Sequence, residues 1–323
     1  MVNLYPLTFK PIFKERLWGG RNLESLYSKP LPPGPPIGES WEVSDRPGDE
    51  SAVASGPLKG RTLHWLMENC PAALLGSRGP IPARFPLLIK IIDAQATLSL
   101  QVHPPPSVAA SLGGEPKTEM WYVAQAQPGA ELFVGLKNGV TRAEFESKLA
   151  SQKVAECFHV IRVKAGDSMF LPSGRVHALG AGTMIFEIQQ NSDTTYRVFD
   201  WNRLERDGKP RALHIPQSLA SINFSDFEPS LLPRDTTPAQ PGTVRPLVND
   251  PLFNVDLRQW AAGDTNTWPA GKMRILGVVE GALMIEGSGE QVEIPAGGFC
   301  LIPAQCDATK AQALRETKFL EIL

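Results

Sequence analysis

Hydrophobic and polar positions alternate along most of this chain in runs of five to eight residues, which is the period of a β-strand with one buried face. LSLQVHP at 98–104 is the clearest case: Leu98, Leu100 and Val102 fall on one face, Gln101 and His103 on the other. FPLLIKIIDA at 85–94 reads as a buried run, apolar but for Lys90 and Asp93, as expected of a strand covered on both faces. MWYVAQA at 120–126, ELFVGL at 131–136, CFHVIRV at 157–163, SMFLP at 168–172 and TMIFEIQQ at 183–190 predict further strands. Helical signals are fewer. TRAEFESKLASQ at 141–152 opens on a capping box, Thr141 with Glu144, and puts Phe145 and Leu149 on one face. TLHWLMEN at 62–69 and HIPQSLASINF at 214–224 are shorter candidates. Many short strands with a few inserted helices predict a mainly β chain built as a jelly-roll or related barrel.

The strand texture returns near the end of the sequence, in RILGVVEGALMIEG at 274–287, QVEIPAGGFCLIPA at 291–304 and TKFLEIL at 317–323. Between the two strand-rich regions lies EPSLLPRDTTPAQPGT at 228–243, a Pro-rich polar stretch with the composition of a linker. The expected division is therefore a larger β-domain over 1–227, a linker over 228–243 and a smaller β-domain over 244–323. KPLPPGPP at 29–36 reads as a stiff exposed connection.

Composition narrows the classes. The 323 residues carry 30 prolines, about twice the usual ~5% and consistent with many turns and edges. Thirty-two Lys and Arg balance 34 Asp and Glu for a net charge of −2, which argues against a nucleic-acid partner, whose phosphates need clustered cations. Charges interrupt every apolar stretch of the first 20 residues, so neither leader peptide nor membrane anchor is expected there, nor a membrane partner elsewhere. Four cysteines without a CxxC spacing predict reduced thiols and a cytoplasmic setting.

Candidate chemistry gathers around two of the five histidines. His103 shares a strand face with the Gln101 amide, half of a metal site or else a hydrogen-bonded core pair. Glu119 precedes four large apolar residues and is either a strand-end carboxylate in solvent or a buried one that must be paired or bound to metal. His177 ends GDSMFLPSGRVH at 166–177, in which a turn at Gly166-Asp167, a buried strand and a second turn at Pro172-Ser173-Gly174 bring the imidazole back inward. This spacing resembles the second motif of the cupin superfamily, small β-barrels that usually hold one metal. Two imidazoles, a carboxylate and an amide form a donor set that zinc accepts and that nickel, cobalt, manganese or iron could share. His64, His159 and His214 lack an acidic or histidine neighbour at ligand spacing and read as structural.

Six separated blocks carry a closer resemblance: ERLWGG at 15–20, IGESWEVSDR at 37–46, FPLLIKIIDAQATLSLQVHP at 85–104, PKTEMWYV at 116–123, LPSGRVHALGAG at 171–182 and EIQQNSDTTYRVFDWNR at 187–203. Together they resemble the short form of the type I mannose-6-phosphate isomerases. The resemblance implies interconversion of mannose 6-phosphate and fructose 6-phosphate through a cis-enediol, with one divalent metal per chain, expected to be zinc. It implies His103, Glu119 and His177 as ligands, with Gln101 as a fourth, and Arg197 as the active-site arginine. Isomerisation also needs a base near neutral pH, for which Glu187 and Lys117 are the candidates. Lys90 and Ser99 flank the metal strand as candidate substrate contacts, with a snorkelling lysine and a plain strand serine as their structural alternatives. Arg197 has a structural alternative too, an ion pair with Asp193 or Asp200, and Trp18 and Trp41 are either walls of the sugar site or core.

Near the end of the chain, GGFCLIPAQCDA at 297–308 keeps the glycine and proline of the cupin spacing but has Gln305 for the second glycine and Ala308 for the histidine. A cupin-like barrel without metal ligands follows as the expectation. The expected partner is a small sugar phosphate, and the expected assembly a monomer or homodimer. The alternatives are an isomerase of another sugar, such as free mannose or glucose 6-phosphate, and a sugar-binding cupin without turnover.

Overall fold

The structure, a computed structural model, describes residues 2–76, 80–205, 207–233 and 243–323. Antiparallel strands dominate it. A six-stranded sheet runs Ile12–Gly20, Ile37–Val43, Leu87–Ala94, Thr183–Gln190, Glu119–Ala126, Ser168–Leu171 in order of neighbours. It faces a five-stranded sheet of Tyr196–Phe199, Leu100–Val102, His177–Leu179, Glu131–Leu136 and Phe158–Arg162. The two close into a cupin-type jelly roll. The expected helices form at Leu63–Asn69, Arg142–Ala150 and Ile215–Ser221, the first two capped by Thr62 and Thr141 side chains.

All eight residues of Leu87–Ala94 are buried, including Lys90 and Asp93. Ile89 and Ile91 pack outward on a core shared with Ile275, Leu320 and Ile322 of the second barrel. Ile92 and Ala94 belong to another cluster, with Trp121 and Ile185. Leu98 departs from the expected alternation. The strand begins only at Leu100, so Leu98 packs with the Trp18 and Trp121 cluster, whereas Leu100 and Val102 lie in a different one.

Several strands did not register as apolar alternation, among them Tyr196–Phe199, Val244–Asn249, Asn254–Trp260, Thr265–Trp268, Thr309–Ala313 and the first two of the six-stranded sheet. Ile12–Gly20 is an edge strand carrying Lys14, Glu15 and Arg16. Ile37–Val43 is buried at every position although it holds two glutamates. Its charges are paired: Glu42 accepts from Lys29 Nζ at 2.7 Å and from Ser40 Oγ at 2.5 Å. The 29–36 connection is exposed as expected at Pro30, Pro32, Pro33 and Gly34 but anchored by its buried residues Lys29 and Leu31.

The second barrel repeats the first. Its sheets are ordered Val244–Asn249, Asn254–Trp260, Thr317–Ile322, Arg274–Glu280, Phe299–Ile302 and Thr265–Trp268, Thr309–Ala313, Ala282–Gly287, Glu290–Pro295. Removing Ile12–Gly20 and Tyr196–Phe199 from the first pair leaves nine strands in the same order with the same neighbours. The registers align as well. Glu119 pairs with Leu171 as Arg274 pairs with Ile302, and Glu187 pairs with Trp121 as Glu321 pairs with Leu276. Arg274 thus stands where the first barrel has Glu119, and Glu321 where it has Glu187. Arg274 Nη1 donates to Glu321 Oε1 at 2.6 Å, and Arg258 pairs with the other oxygen. A guanidinium supplies the cation of this barrel, and the strand Thr309–Ala313 brings no imidazole to it. Glu321→Ala is expected to cost about 3–5 kcal/mol of stability by leaving Arg274 buried and unpaired. Urea denaturation would measure it, and a loss under 1 kcal/mol would refute it.

Of the Pro-rich stretch at 228–243, residues 234–242 lie outside the described residues. Its start lies along the first barrel, where Leu232 N donates to Ser168 O at 2.9 Å. All four cysteines are free, three buried and Cys70 half-buried. Among the described residues no helix is long and apolar enough to cross a membrane.

Candidate active site

Three strands of the first barrel converge on one buried point. His103 follows the end of Leu100–Val102, Glu119 opens Glu119–Ala126 and His177 opens His177–Leu179. Each is at most 1% exposed, and their ligand atoms lie within 4.8 Å of one another. His103 Nε2 is 3.4 Å from Glu119 Oε2, and His177 Nε2 is 3.4 Å from Glu119 Oε1. Donors bound at about 2.1 Å to one tetrahedral ion stand about 3.4 Å apart, so these spacings suit a divalent metal.

Both imidazoles are set for that role by backbone carbonyls. His103 Nδ1 donates to Thr194 O at 2.8 Å and His177 Nδ1 to Arg175 O at 2.9 Å, which leaves each Nε2 lone pair facing the carboxylate. Burial and the neighbouring Lys117 cation push His103 down to about 4, and burial lowers His177. Burial alone would raise the Glu119 carboxyl, but Lys117 and the imidazoles hold it well below its ordinary value. Neither Glu119 oxygen accepts a well-formed hydrogen bond. A fully buried carboxylate in that condition is costly, and a cation between it and two neutral imidazoles relieves the cost. The residues present fit a divalent metal.

The Gln101 amide lies beside this triad, its Nε2 3.3 Å from His177 Nε2. An amide can exchange its ends by a half-turn, which would bring the carbonyl oxygen to the same point. Lys117 Nζ stands 2.8 Å from Glu119 Oε2 and 3.2 Å from His103 Nε2. Gln101 and Lys117 line a cleft of about 340 Å³ together with Ser99, Lys90, Glu187 and Arg197. The structure therefore brings all nine residues singled out in the sequence to one place.

A row of alternating charges crosses this cleft. Trp121 Nε1 donates to Glu187 Oε1 at 3.0 Å, and Lys90 Nζ is 3.3 Å from Glu187 Oε2 and 3.8 Å from Glu39 Oε2. Glu39 also accepts from Arg16 Nε at 2.6 Å and from Trp41 Nε1 at 2.7 Å. Despite burial, Lys90 and Arg16 hold Glu39 at about 2, and the two glutamates raise Lys90. Lys90 is thus no snorkelling edge residue but a buried cation on an inner strand. Glu39 and Arg16 went unnoticed in the sequence, because neither carries a local mark of burial and their pairing joins two strands.

The other candidates separate. Arg197 makes no ion pair with Asp193 or Asp200. Arg203 and Arg211 hold Asp200, whereas Arg197 Nη1 donates to Ala212 O at 2.9 Å and its Nε has no partner. Burial and the Arg211 charge lower its pKa. Trp18 lines the cleft, while Trp41 is buried, with Lys90 Nζ 5.0 Å from its ring centre. His64 does have acidic neighbours, Asp45 at 3.1 Å and Glu68 at 3.5 Å, contrary to expectation. Among the described residues, His103, Glu119 and His177 form the one group of three or more His, Cys, Asp or Glu able to hold a metal.

With this geometry in hand, the likeness to known proteins can be weighed. A family model for phosphomannose isomerase type I, catalytic domain, matches residues 7–128. The mannose-6-phosphate isomerase ManA of Bacillus subtilis is 40% identical over 237 residues, 72% of this chain and 71% of that protein. The mannose-6-phosphate isomerase of Streptococcus mutans is 34% identical over 304 residues, 92% of each. This chain belongs to the mannose-6-phosphate isomerase family. A crystal structure of the mannose 6-phosphate isomerase from Bacillus subtilis superposes with a TM-score of 0.89 at 28% identity, over 99% of this chain and 100% of that one. A variant phosphomannose isomerase from Salmonella typhimurium shares the fold at 16% identity, TM-score 0.76.

Proposed function

We propose that this protein is a metal-dependent aldose–ketose isomerase that interconverts mannose 6-phosphate and fructose 6-phosphate, with zinc as its resident ion. The observation that carries this reading is a buried His–Glu–His cluster beside a cleft lined with both acids and cations. His103, Glu119 and His177 would hold the ion, and the Gln101 oxygen would complete the set. When bound, the ion supplies Lewis-acid stabilisation of the negative charge that isomerisation develops on oxygen.

The chain's own groups do the rest. Lys117, paired with Glu119 Oε2, presents a fixed cation at the edge of the metal cluster. Glu187 carries the proton between adjacent carbons: Trp121 fixes one of its oxygens, and the other faces Lys90 Nζ at 3.3 Å without a formed hydrogen bond. Lys117 suits that task less well, because its amine is tied to Glu119, a member of the metal cluster itself. Arg197 steadies the charge of the enediol, and Lys90 and Ser99 contact hydroxyl or phosphate oxygens. The balanced charge and free thiols support work in the cytoplasm on a small sugar phosphate, as a monomer or homodimer.

The deciding experiment is a coupled assay with mannose 6-phosphate before chelation, after it, and with zinc restored. Activity should vanish with the metal and return with zinc. A metal-replete protein that leaves mannose 6-phosphate unchanged would overturn the reading and direct attention to free mannose and other sugar phosphates.

A further inference from the structure

The strand Tyr196–Phe199 is the edge of its sheet, paired with Leu100–Val102 and with no other strand among the described residues. An edge strand leaves backbone N–H and C=O groups without a ladder. At Arg197 both are taken up by one residue. The backbone N–H of His214 donates to Arg197 O at 2.8 Å, and His214 Nδ1 accepts from Arg197 N–H at 3.1 Å. His214 thus stands in for a neighbouring strand, its ring nitrogen taking the place of a carbonyl. Two residues earlier, Ala212 O accepts from the Arg197 guanidinium at 2.9 Å. The segment 212–214 therefore holds Arg197 at its backbone nitrogen, its backbone oxygen and its charged head.

His214 also occupies the N-cap of the helix Ile215–Ser221, yet its side chain makes no bond to that helix. A residue used only to start a helix would turn an acceptor toward the helix's own N–H groups. Here the acceptor is committed to Arg197. For Nδ1 to accept, the ring must be neutral with its proton on Nε2. Burial and the adjacent cations Arg197 and Arg211 both favour that form.

We propose that His214 is a positioning residue for the isomerisation, acting through Arg197 by fixing the edge strand that carries it. The proposal rests on the function given above and on Arg197 facing the substrate from the cleft wall. His214 touches neither the cleft nor the metal cluster, so its removal should affect turnover and not metal binding.

The test is a double-mutant cycle on the zinc-loaded enzyme, with mannose 6-phosphate as substrate and bound zinc measured for every variant. His214→Ala is expected to lower kcat about 10–100-fold at full zinc content, the scale expected of a misplaced catalytic group. His214→Asn, whose amide oxygen sits where Nδ1 was, should stay within about threefold of wild type. In an Arg197→Ala background, His214→Ala should change kcat less than about twofold, because the group it acts through is gone. Equal losses in both backgrounds would mark a general structural role and overturn the proposal, as would near-normal kcat in His214→Ala. Should His214→Ala not fold, His214→Asn is compared with His214→Gln, whose oxygen sits one bond too far: activity kept by Asn and lost by Gln supports the proposal, and equal behaviour overturns it. An inactive wild type overturns the isomerase reading together with this one, whereas an active wild type with the wrong variant pattern overturns this one alone.

Discussion

His177→Ala is expected to lose both bound metal and turnover while remaining folded. The imidazole is one of two neutral nitrogen donors, and its removal leaves His103 and Glu119 to hold the ion with whatever Gln101 contributes. Partners that merely orient a ligand already cost about 10–100-fold in metal affinity, so loss of a ligand itself should exceed that. Without the ion, the Lewis-acid share of catalysis disappears. If that share is about 4 kcal/mol, turnover falls about 1,000-fold. The barrel should survive on its apolar clusters around Leu100, Val198 and Trp121, although Trp121 loses its edge-on contact with the His177 ring at 5.3 Å. Metal analysis by atomic emission, read beside circular dichroism, checks this directly. A folded His177→Ala protein with a full equivalent of zinc would remove His177 from the ligand set. His103→Ala should behave alike, with one difference: Lys117 loses a contact as well.

Many of the strands and the inward turn of His177 were legible in the sequence from short-range rules, whereas His103, Glu119 and His177 as a ligand set were implied only by the family resemblance. A two-residue period states which side chains share a face, and Gly166, Pro172 and Gly174 fix the turns that bring His177 inward. What remained hidden depended on pairing across the sheet. Nothing local to IGESWEV says that Glu39 and Glu42 are buried on opposite faces, one neutralised by Arg16 and Lys90 and the other by Lys29. Each charge looks like a solvent-facing residue until its partner is known, and the partners come from distant segments. The role suggested for His214 was hidden for the same reason, since it appears as a lone imidazole in sequence and touches Arg197 only across an edge strand. The second barrel shows the converse. Its lost histidine was visible, but the replacement of a metal carboxylate by Arg274 appears only when the two sheet registers are aligned.

Glu187→Gln is expected to lower kcat about 100–10,000-fold with metal content unchanged, the range associated with removal of a general acid–base group. The exchange keeps size and shape, and an amide oxygen can still accept from Trp121 Nε1, so the strand need not shift. What is lost is a negative charge and a basic oxygen. Lys90 keeps Glu39 as a counter-ion at 3.8 Å, which limits the disturbance to the rest of the charge row. Because Glu187 does not touch the triad, the metal should stay, and KM should change far less than kcat. A second readout separates proton transfer from mere charge. In deuterated water a carbon-bound proton passed through Glu187 can exchange with solvent during turnover, and Glu187→Gln should suppress that exchange together with isomerisation. Near-normal kcat in this variant would hand the proton to Lys117, whose amine would then have to leave Glu119 or His103 to reach the sugar.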